Sequence, residues 1–130
     1  MEIHLRSELG NERIAMVAVA LIAEEMGGNS AQIENVKTAL AEAVTNAIEH
    51  GNQFKVELPV LIKVGARQGA LTLNVIDNGC QPIPPASVER QERPDHRGLG
   101  MFLIRSLMDE VETVALPGRN ELRMVAYVGG

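Results

Sequence analysis

The stretch Leu40-Ala-Glu-Ala-Val-Thr-Asn-Ala-Ile-Glu-His-Gly51 sets a carboxylate, Glu42, and a carboxamide, Asn46, four residues apart in a helix-forming run. Side chains at that spacing share one face of a helix. A carboxylate able to take a proton, beside an amide oxygen able to ligate a hard cation, is the pairing that metal-assisted phosphoryl transfer needs. Polar stripes on surface helices are ordinary, so the pair takes its meaning from its surroundings. Ser30 reads as the cap of this helix with Glu34 in the first turn, and the spacing predicts a helix to His50 that stops at Gly51. At about 100° per residue, Val36, Leu40, Ala43, Val44 and Ala47 fall on one side and Asn35, Glu42, Asn46 and Glu49 on the other.

Upstream, Ile3 and Leu5 alternate with polar neighbours from Glu2 to Ser7, the pattern of a short half-buried strand. Asn11 then reads as the N-cap of a helix reaching Met26 and ending at Gly27-Gly28. From Ile14 to Ala23 that helix is apolar on every side, which predicts burial on more than one face. Two coverings fit: neighbouring elements of this chain alone, or the sheet on one face and a second subunit on another.

Downstream, Val56–Ala66 and Ala70–Asp77 read as an antiparallel hairpin turning near Gln68-Gly69. Between about residues 78 and 97, Pro82, Pro84, Pro85 and Pro94 lie among charged residues, and a stretch of that length without regular structure is usually functional, often a lid. Helical spacing resumes from Gly98 to Asp109 through Leu99, Phe102, Leu103 and Leu107, and Val111–Leu116 with Glu121–Val128 form a closing strand pair around Pro117-Gly118-Arg119-Asn120. The order β-α-α-β-β-lid-α-β-β predicts an α+β two-layer sandwich, with helices on one face of a mixed, largely antiparallel sheet.

The chain of 130 residues is expected to form one domain, and 45% apolar content supplies a core. Twelve basic against seventeen acidic residues give a net charge of -5 without a basic block, which argues against a nucleic-acid or anionic-membrane surface. The apolar run Ile14–Ala23 is about half the roughly 20 residues that a bilayer span needs. With no signal-type leader in view and a lone cysteine, Cys80, a cytoplasmic location is expected, without an intrachain disulfide or a multi-cysteine zinc site.

Two later stretches strengthen the first. Asp77 ends an apolar strand and enters Asn78-Gly79; an ionised carboxylate only accepts hydrogen bonds, so it suits the exocyclic amine of adenine and not the carbonyl of guanine. Gly98-Leu99-Gly100 opens a helix directly after the proline-rich stretch, where free backbone N–H groups attract phosphate and glycine permits close approach. Arg97, and with it His96, adds positive charge for terminal phosphates. His50 either touches phosphate or ends its helix.

Together these stretches resemble the GHKL ATPase superfamily, and within it the small anti-sigma factor serine/threonine kinases of the RsbW and SpoIIAB type. Glu42-Ala-Val-Thr-Asn46-Ala-Ile-Glu-His50-Gly51 is similar to that branch's N-box, Asp77-Asn-Gly79 to the first half of its G1 box, and Gly98-Leu-Gly-Met-Phe-Leu-Ile104 with Met108-Asp109 to its G2 box. The resemblance implies the Bergerat fold, with Glu42 as catalytic base, Asn46 as Mg²⁺ ligand, Asp77 as adenine reader and Gly79 shaping the adenine pocket. It further implies an ATP/ADP site that includes His50, Arg97, Gly98, Leu99, Gly100, Met101 and Phe102. The implied activity is transfer of the ATP γ-phosphoryl group to a serine or threonine of an anti-anti-sigma partner of the STAS type. A sigma factor as a second partner and a homodimer are implied as well.

Two departures stand out. Gln81 replaces the second glycine of the G1 box, and Gly118-Arg119-Asn120-Glu121 stands where many relatives carry a Gly-Thr pair. They leave room for a second reading, a non-catalytic module whose partner-binding surface is shaped by nucleotide. A histidine-kinase catalytic domain fits poorly, because no dimerising helix with a phosphoacceptor histidine is present in the sequence.

Overall fold

Gln68-Gly69 turns the chain within two residues, both at positive φ (+49° and +81°), the backbone that matches the twist of the strands it joins. The strands are β2 (Pro59–Arg67) and β3 (Ala70–Asp77), and they begin a five-stranded sheet that β1 (Glu2–Arg6), β4 (Glu110–Leu116) and β5 (Arg119–Tyr127) complete. The computed structural model describes residues 1–79 and 97–129. Cys80, Gln81 and His96, with most of the stretch expected to be a lid, lie outside the described residues. The sheet runs β1-β2-β3-β5-β4, and each of its neighbouring pairs is antiparallel, in keeping with the largely antiparallel sheet expected. β2–β3 and β4–β5 are tight hairpins, whereas β3 and β4, both antiparallel to β5, run parallel to each other with β5 between them and are connected through the helix at Arg97–Leu107.

Three helices cover one face of this sheet: α1 (Glu12–Glu25), α2 (Ser30–Asn46) and α3 (Arg97–Leu107). Alternation decides which strand residues meet them. Val60, Ile62 and Val64 of β2, Leu71, Leu73 and Val75 of β3, and Leu122, Met124 and Ala126 of β5 are all buried. The registers Ile62↔Val75, Val64↔Leu73, Leu73↔Met124 and Val75↔Leu122 set these side chains in continuous rows. Opposite them α2 buries Val36, Ala39, Leu40, Ala43 and Val44, close to the stripe expected from its period. Leu40 is fully buried, so its truncation to alanine costs about 2–5 kcal/mol.

The helix starts differ from expectation. Asn29, not Ser30, caps α2: its side chain accepts the Gln32 N–H while the Gln32 side chain accepts the Asn29 N–H, at 2.8 and 3.0 Å. Glutamine three residues after asparagine makes that reciprocal box possible, and the cap is worth about 1 kcal/mol. Asn11 sits in helical backbone without capping α1; its Nδ2 donates instead to the Arg6 carbonyl at 3.0 Å. The hairpin strand β2 begins at Pro59, not Val56, because the Leu58 N–H donates to the Lys55 carbonyl at 2.9 Å in a turn that takes up Val56 and Glu57.

α1 buries Ala15, Val19 and Ala23. Ile14, Val17 and Leu21, by contrast, are 56–61% exposed, so other elements described in this chain do not cover the helix on every side. No helix among the described residues is long and apolar enough to cross a membrane.

α2 does not end as an ordinary helix. Ala47–Gly51 forms a single π-helical turn, in which the Asn52 N–H reaches back five residues to the Ala47 carbonyl at 2.7 Å. π-turns of this kind concentrate at functional sites. This one lies against β3.

Candidate nucleotide site

Asp77 continues the helix-facing row Leu71, Leu73, Val75 by one more alternation, and Asn120 continues the row Ala126, Met124, Leu122 in the same way. The two are register partners. Both are buried, 5% and 3% exposed, so the apolar rows end in a polar pair under the helices. Asp77 Oδ1 accepts the Gly79 N–H at 2.6 Å, a local turn that ties the carboxylate to the chain leaving β3.

Above this end of the sheet lies a narrow cleft, partly open to solvent, lined by Ala43, Asn46, Ala47, Val75, Asp77, Met101 and Leu122. Its walls are apolar, with one carboxylate and one carboxamide. That is the pattern of a small-ligand site in which flat apolar surface is gripped by side walls and a few polar atoms fix orientation. Gly51 forms part of the same corner: a β-carbon there would overlap the Asp77 carboxylate. The absence of a side chain at position 51 lets the π-turn close on Asp77.

The polar stripe of α2 is partly covered. α3 packs across α2, and its fourth residue, Gly100, faces both polar residues of the N-terminal stretch. A β-carbon at Gly100 would lie 3.0 Å from Glu42 Oε2 and 3.1 Å from Asn46 Nδ2. The structure thus brings Glu42, Asn46 and the start of α3 into one place. The first four N–H groups of a helix have no partner within it. Asn46 Nδ2 is buried and has no hydrogen-bond partner among the described residues. A buried amide in that state costs about 1–3 kcal/mol, which a ligand reaching this corner offsets. An orphaned amide, a carboxylate and a helix N-terminus converging on one place fit a polyphosphate with its divalent cation.

The other expected site residues are distributed as follows. Met101 is buried in the cavity wall. Leu99 is exposed and Phe102 half-buried, and neither lines the cavity. Arg97 and Gly98 begin α3, but their side-chain surroundings lie outside the described residues. The His50 ring stands 3.8 Å from the Glu49 carboxylate at the rim of the π-turn, not in the cavity lining. Gly79, at φ +67°, packs on the β4–β5 turn, where a β-carbon would meet the Arg119 nitrogen at 2.6 Å. The Arg119 guanidinium pairs with Glu121 at 3.0 Å. Residues not expected at the site from sequence are Ala43, Ala47, Val75 and Leu122 in its lining and Gly51 and Asn52 beside it; the Gly51-Asn52 step directly after His50 was the available signal.

The family profile described as Histidine kinase-like ATPase domain matches residues 5–126. This chain belongs to the histidine kinase-like ATPase family. Among relatives, the chain is 33% identical over 136 aligned positions to the anti-sigma F factor of Thermoanaerobacter sp. (strain X514), covering 99% of this chain and 94% of that protein. It is 34% identical over 114 positions to the anti-sigma F factor of Clostridium botulinum (strain Eklund 17B / Type B), covering 84% and 80%. Among solved structures, the RsbU and RsbW domains of a Mycobacterium tuberculosis protein match with a TM-score of 0.74 at 18% identity, covering 98% of this chain and 31% of that longer one. A blue-light activated histidine kinase domain from Erythrobacter litoralis matches at 0.59 and 14% identity, over 90% of this chain and 61% of that one. The structural likenesses establish the α+β fold, and membership of the family implies nucleotide binding.

Proposed function

We propose that this protein is an ATP- and Mg²⁺-dependent serine/threonine kinase that acts as an anti-sigma factor and is switched by phosphorylating an anti-anti-sigma partner of the STAS type. The observation that carries this reading is the convergence of Glu42 and Asn46 on Gly100, in the first turn of α3 and beside the cleft that Asp77 floors. The names of the relatives support the sigma-factor side of it.

In this reading the cavity walls, Ala43, Ala47, Val75, Met101 and Leu122, take the faces of the adenine ring, and Asp77 accepts its exocyclic amine. The N–H groups opening α3 receive phosphate oxygens, with Gly98 and Gly100 allowing the backbone to come close. Asn46 would hold the Mg²⁺ through its side-chain oxygen; when bound, the ion neutralises charge on the phosphates. Glu42 takes the proton from the partner's hydroxyl as its oxygen bonds to the γ-phosphorus and the bridge to ADP breaks. Arg97 adds charge stabilisation, and His50 borders the phosphate region.

A homodimer is part of the proposal, supported by the exposed stripe Ile14, Val17 and Leu21 on α1. So is a cytoplasmic setting, where ATP and a sigma factor are both at hand. Incubation with labelled ATP, Mg²⁺ and a cognate STAS protein should yield phosphoserine or phosphothreonine. Glu42→Ala should abolish the product while leaving ATP affinity within about threefold, since a base acts on the transition state. Transfer by Glu42→Ala at the wild-type rate removes Glu42 from the base role.

The alternative is a nucleotide-gated binding module without transfer. The two departures from the family pattern, Gln81 and Gly118-Arg119-Asn120-Glu121, favour it. Nucleotide-dependent capture of the partner, with no phosphorylated product from any STAS protein offered, would select that reading.

A further inference from the structure

Asn52 is fully buried at the exit of the π-turn, and the proposed chemistry does not use it. Its Nδ2 donates to Ser7 Oγ at 2.9 Å and to the carbonyls of Leu58 and Pro59 at 3.2 and 3.1 Å. An amide nitrogen carries two hydrogens, so the three acceptors share them. Its Oδ1 accepts the backbone N–H of Asn78 at 2.7 Å. One side chain therefore ties together the residue after β1, the start of β2 and the exit of β3.

Asn78 directly follows Asp77. The Asp77 carboxylate is thus located from several directions: Gly51 sits against it, the Gly79 N–H is held by its Oδ1, and Asn52 anchors the peptide that leaves it. Hydrogen bonds weaken steeply when donor and acceptor are misaligned. A carboxylate free to swing would still lend negative charge to the cavity, but it would discriminate poorly between bases.

We infer that Asn52 is a positioning residue for nucleotide selectivity: by holding the Asn78 peptide it aims the Asp77 carboxylate, and so sets the preference for a base bearing an exocyclic amine over one bearing a carbonyl at that position. The inference rests on the reading of Asp77 given under Proposed function. A merely structural role for Asn52 would lower stability and weaken all nucleotides alike. A positioning role changes their ratio.

The test is calorimetric titration of the full chain with ATP and with GTP in the presence of Mg²⁺. The wild type should prefer ATP, and Asp77→Asn should lose most of that preference. Asn52→Ala should lower the ATP-over-GTP ratio about tenfold, the worth of one hydrogen bond to a charged group. Asn78→Pro removes the same N–H from the other side and should lower the ratio similarly. Ser7→Ala takes one partner from Asn52 Nδ2 but spares the bond to Asn78; it should lower the melting temperature and keep the ratio within about twofold.

A folded Asn52→Ala with the wild-type ratio overturns the inference, as does a Ser7→Ala that loses the ratio equally. Should Asn52→Ala fail to fold, the ratio in Asn78→Pro decides by the same criterion. Loss of preference in Asp77→Asn alone overturns the positioning role and leaves the adenine reading standing. A wild type without preference, or an Asp77→Asn that keeps it, overturns both.

Discussion

Gly51 and Asp77, twenty-six positions apart in sequence, are in contact closely enough that position 51 has no room for a methyl group beside the carboxylate. The contact joins the end of the N-box-like stretch to the end of β3. Substitution of Gly51 by alanine must therefore move Asp77 or open the π-turn. We expect Gly51→Ala to weaken ATP binding at least about tenfold, with the fold kept, because overpacking of this kind costs about 1–3 kcal/mol. Isothermal titration with ATP checks it, and wild-type affinity in a folded variant would contradict the contact.

Asn46 separates stability from function. Its buried Nδ2 lacks a partner among the described residues, so replacement by an apolar side chain of similar size relieves a cost. Asn46→Leu is expected to melt at or above the wild-type temperature without nucleotide, by up to about 3–5 °C for a domain of this size. The same variant should lose the rise in melting temperature that ATP with Mg²⁺ gives the wild type. Thermal scans with and without ligand measure both; an undiminished ligand shift would remove Asn46 from the site.

Tyr127 offers a pH-dependent reporter far from that chemistry. It is the chain's one tyrosine, and there is no tryptophan, so phenolate absorbance reports it alone. Its hydroxyl donates to the Glu110 carboxylate, and that hydrogen bond, followed by the charges of Glu110 and Asp109, raises its pKa above the ordinary 10.0. A folded pKa raised above the unfolded one gives a contribution that is fully present below pH 10 and lost as the pH climbs through the folded value. Glu110→Gln should bring the titration midpoint down toward the ordinary value. A midpoint that does not move would assign the shift elsewhere.

The open stripe on α1 predicts self-association. Leu21 is 60% exposed beside Ile14 and Val17, and a charge placed there disturbs nothing buried in the single chain. Leu21→Glu should leave the melting temperature of the monomer within about 2 °C. It should also convert a dimer to a monomer in sedimentation velocity. Wild type sedimenting as a monomer across the micromolar range would refute the dimer.

Much of the fold was legible because period and punctuation act locally. The alternation in Leu71, Leu73 and Val75, the Gln68-Gly69 turn and the apolar stripe of α2 each follow from residues within a few positions of one another. Capping was misread at Ser30 because two good cap residues adjoin, and Gln32 selects Asn29 by reaching its N–H. The spacing of Glu42 and Asn46 put them on one face, but what covers that face is Gly100, more than fifty residues later. Gly51 and Asn52 were missed for the same reason: their partners, Asp77, Asn78, Ser7 and Pro59, are brought near only by the closing of the sheet. The all-round apolarity of α1 told that a cover was wanted, not that this chain would leave part of it open.

The π-turn at Ala47–Gly51 acts as a phase shift in an otherwise regular helix. Upstream, Glu42 and Asn46 keep the phase that faces α3. The extra residue taken into the turn carries the chain on by about 100°, and downstream Gly51 and Asn52 address β3. One helix thereby serves two clients whose positions a single period cannot satisfy. Tolerance to sequence and tolerance to length consequently part company here: the count of residues between Asn46 and Asn52 is under tighter geometric control than the identity of a side chain such as Glu49, which sits on the rim.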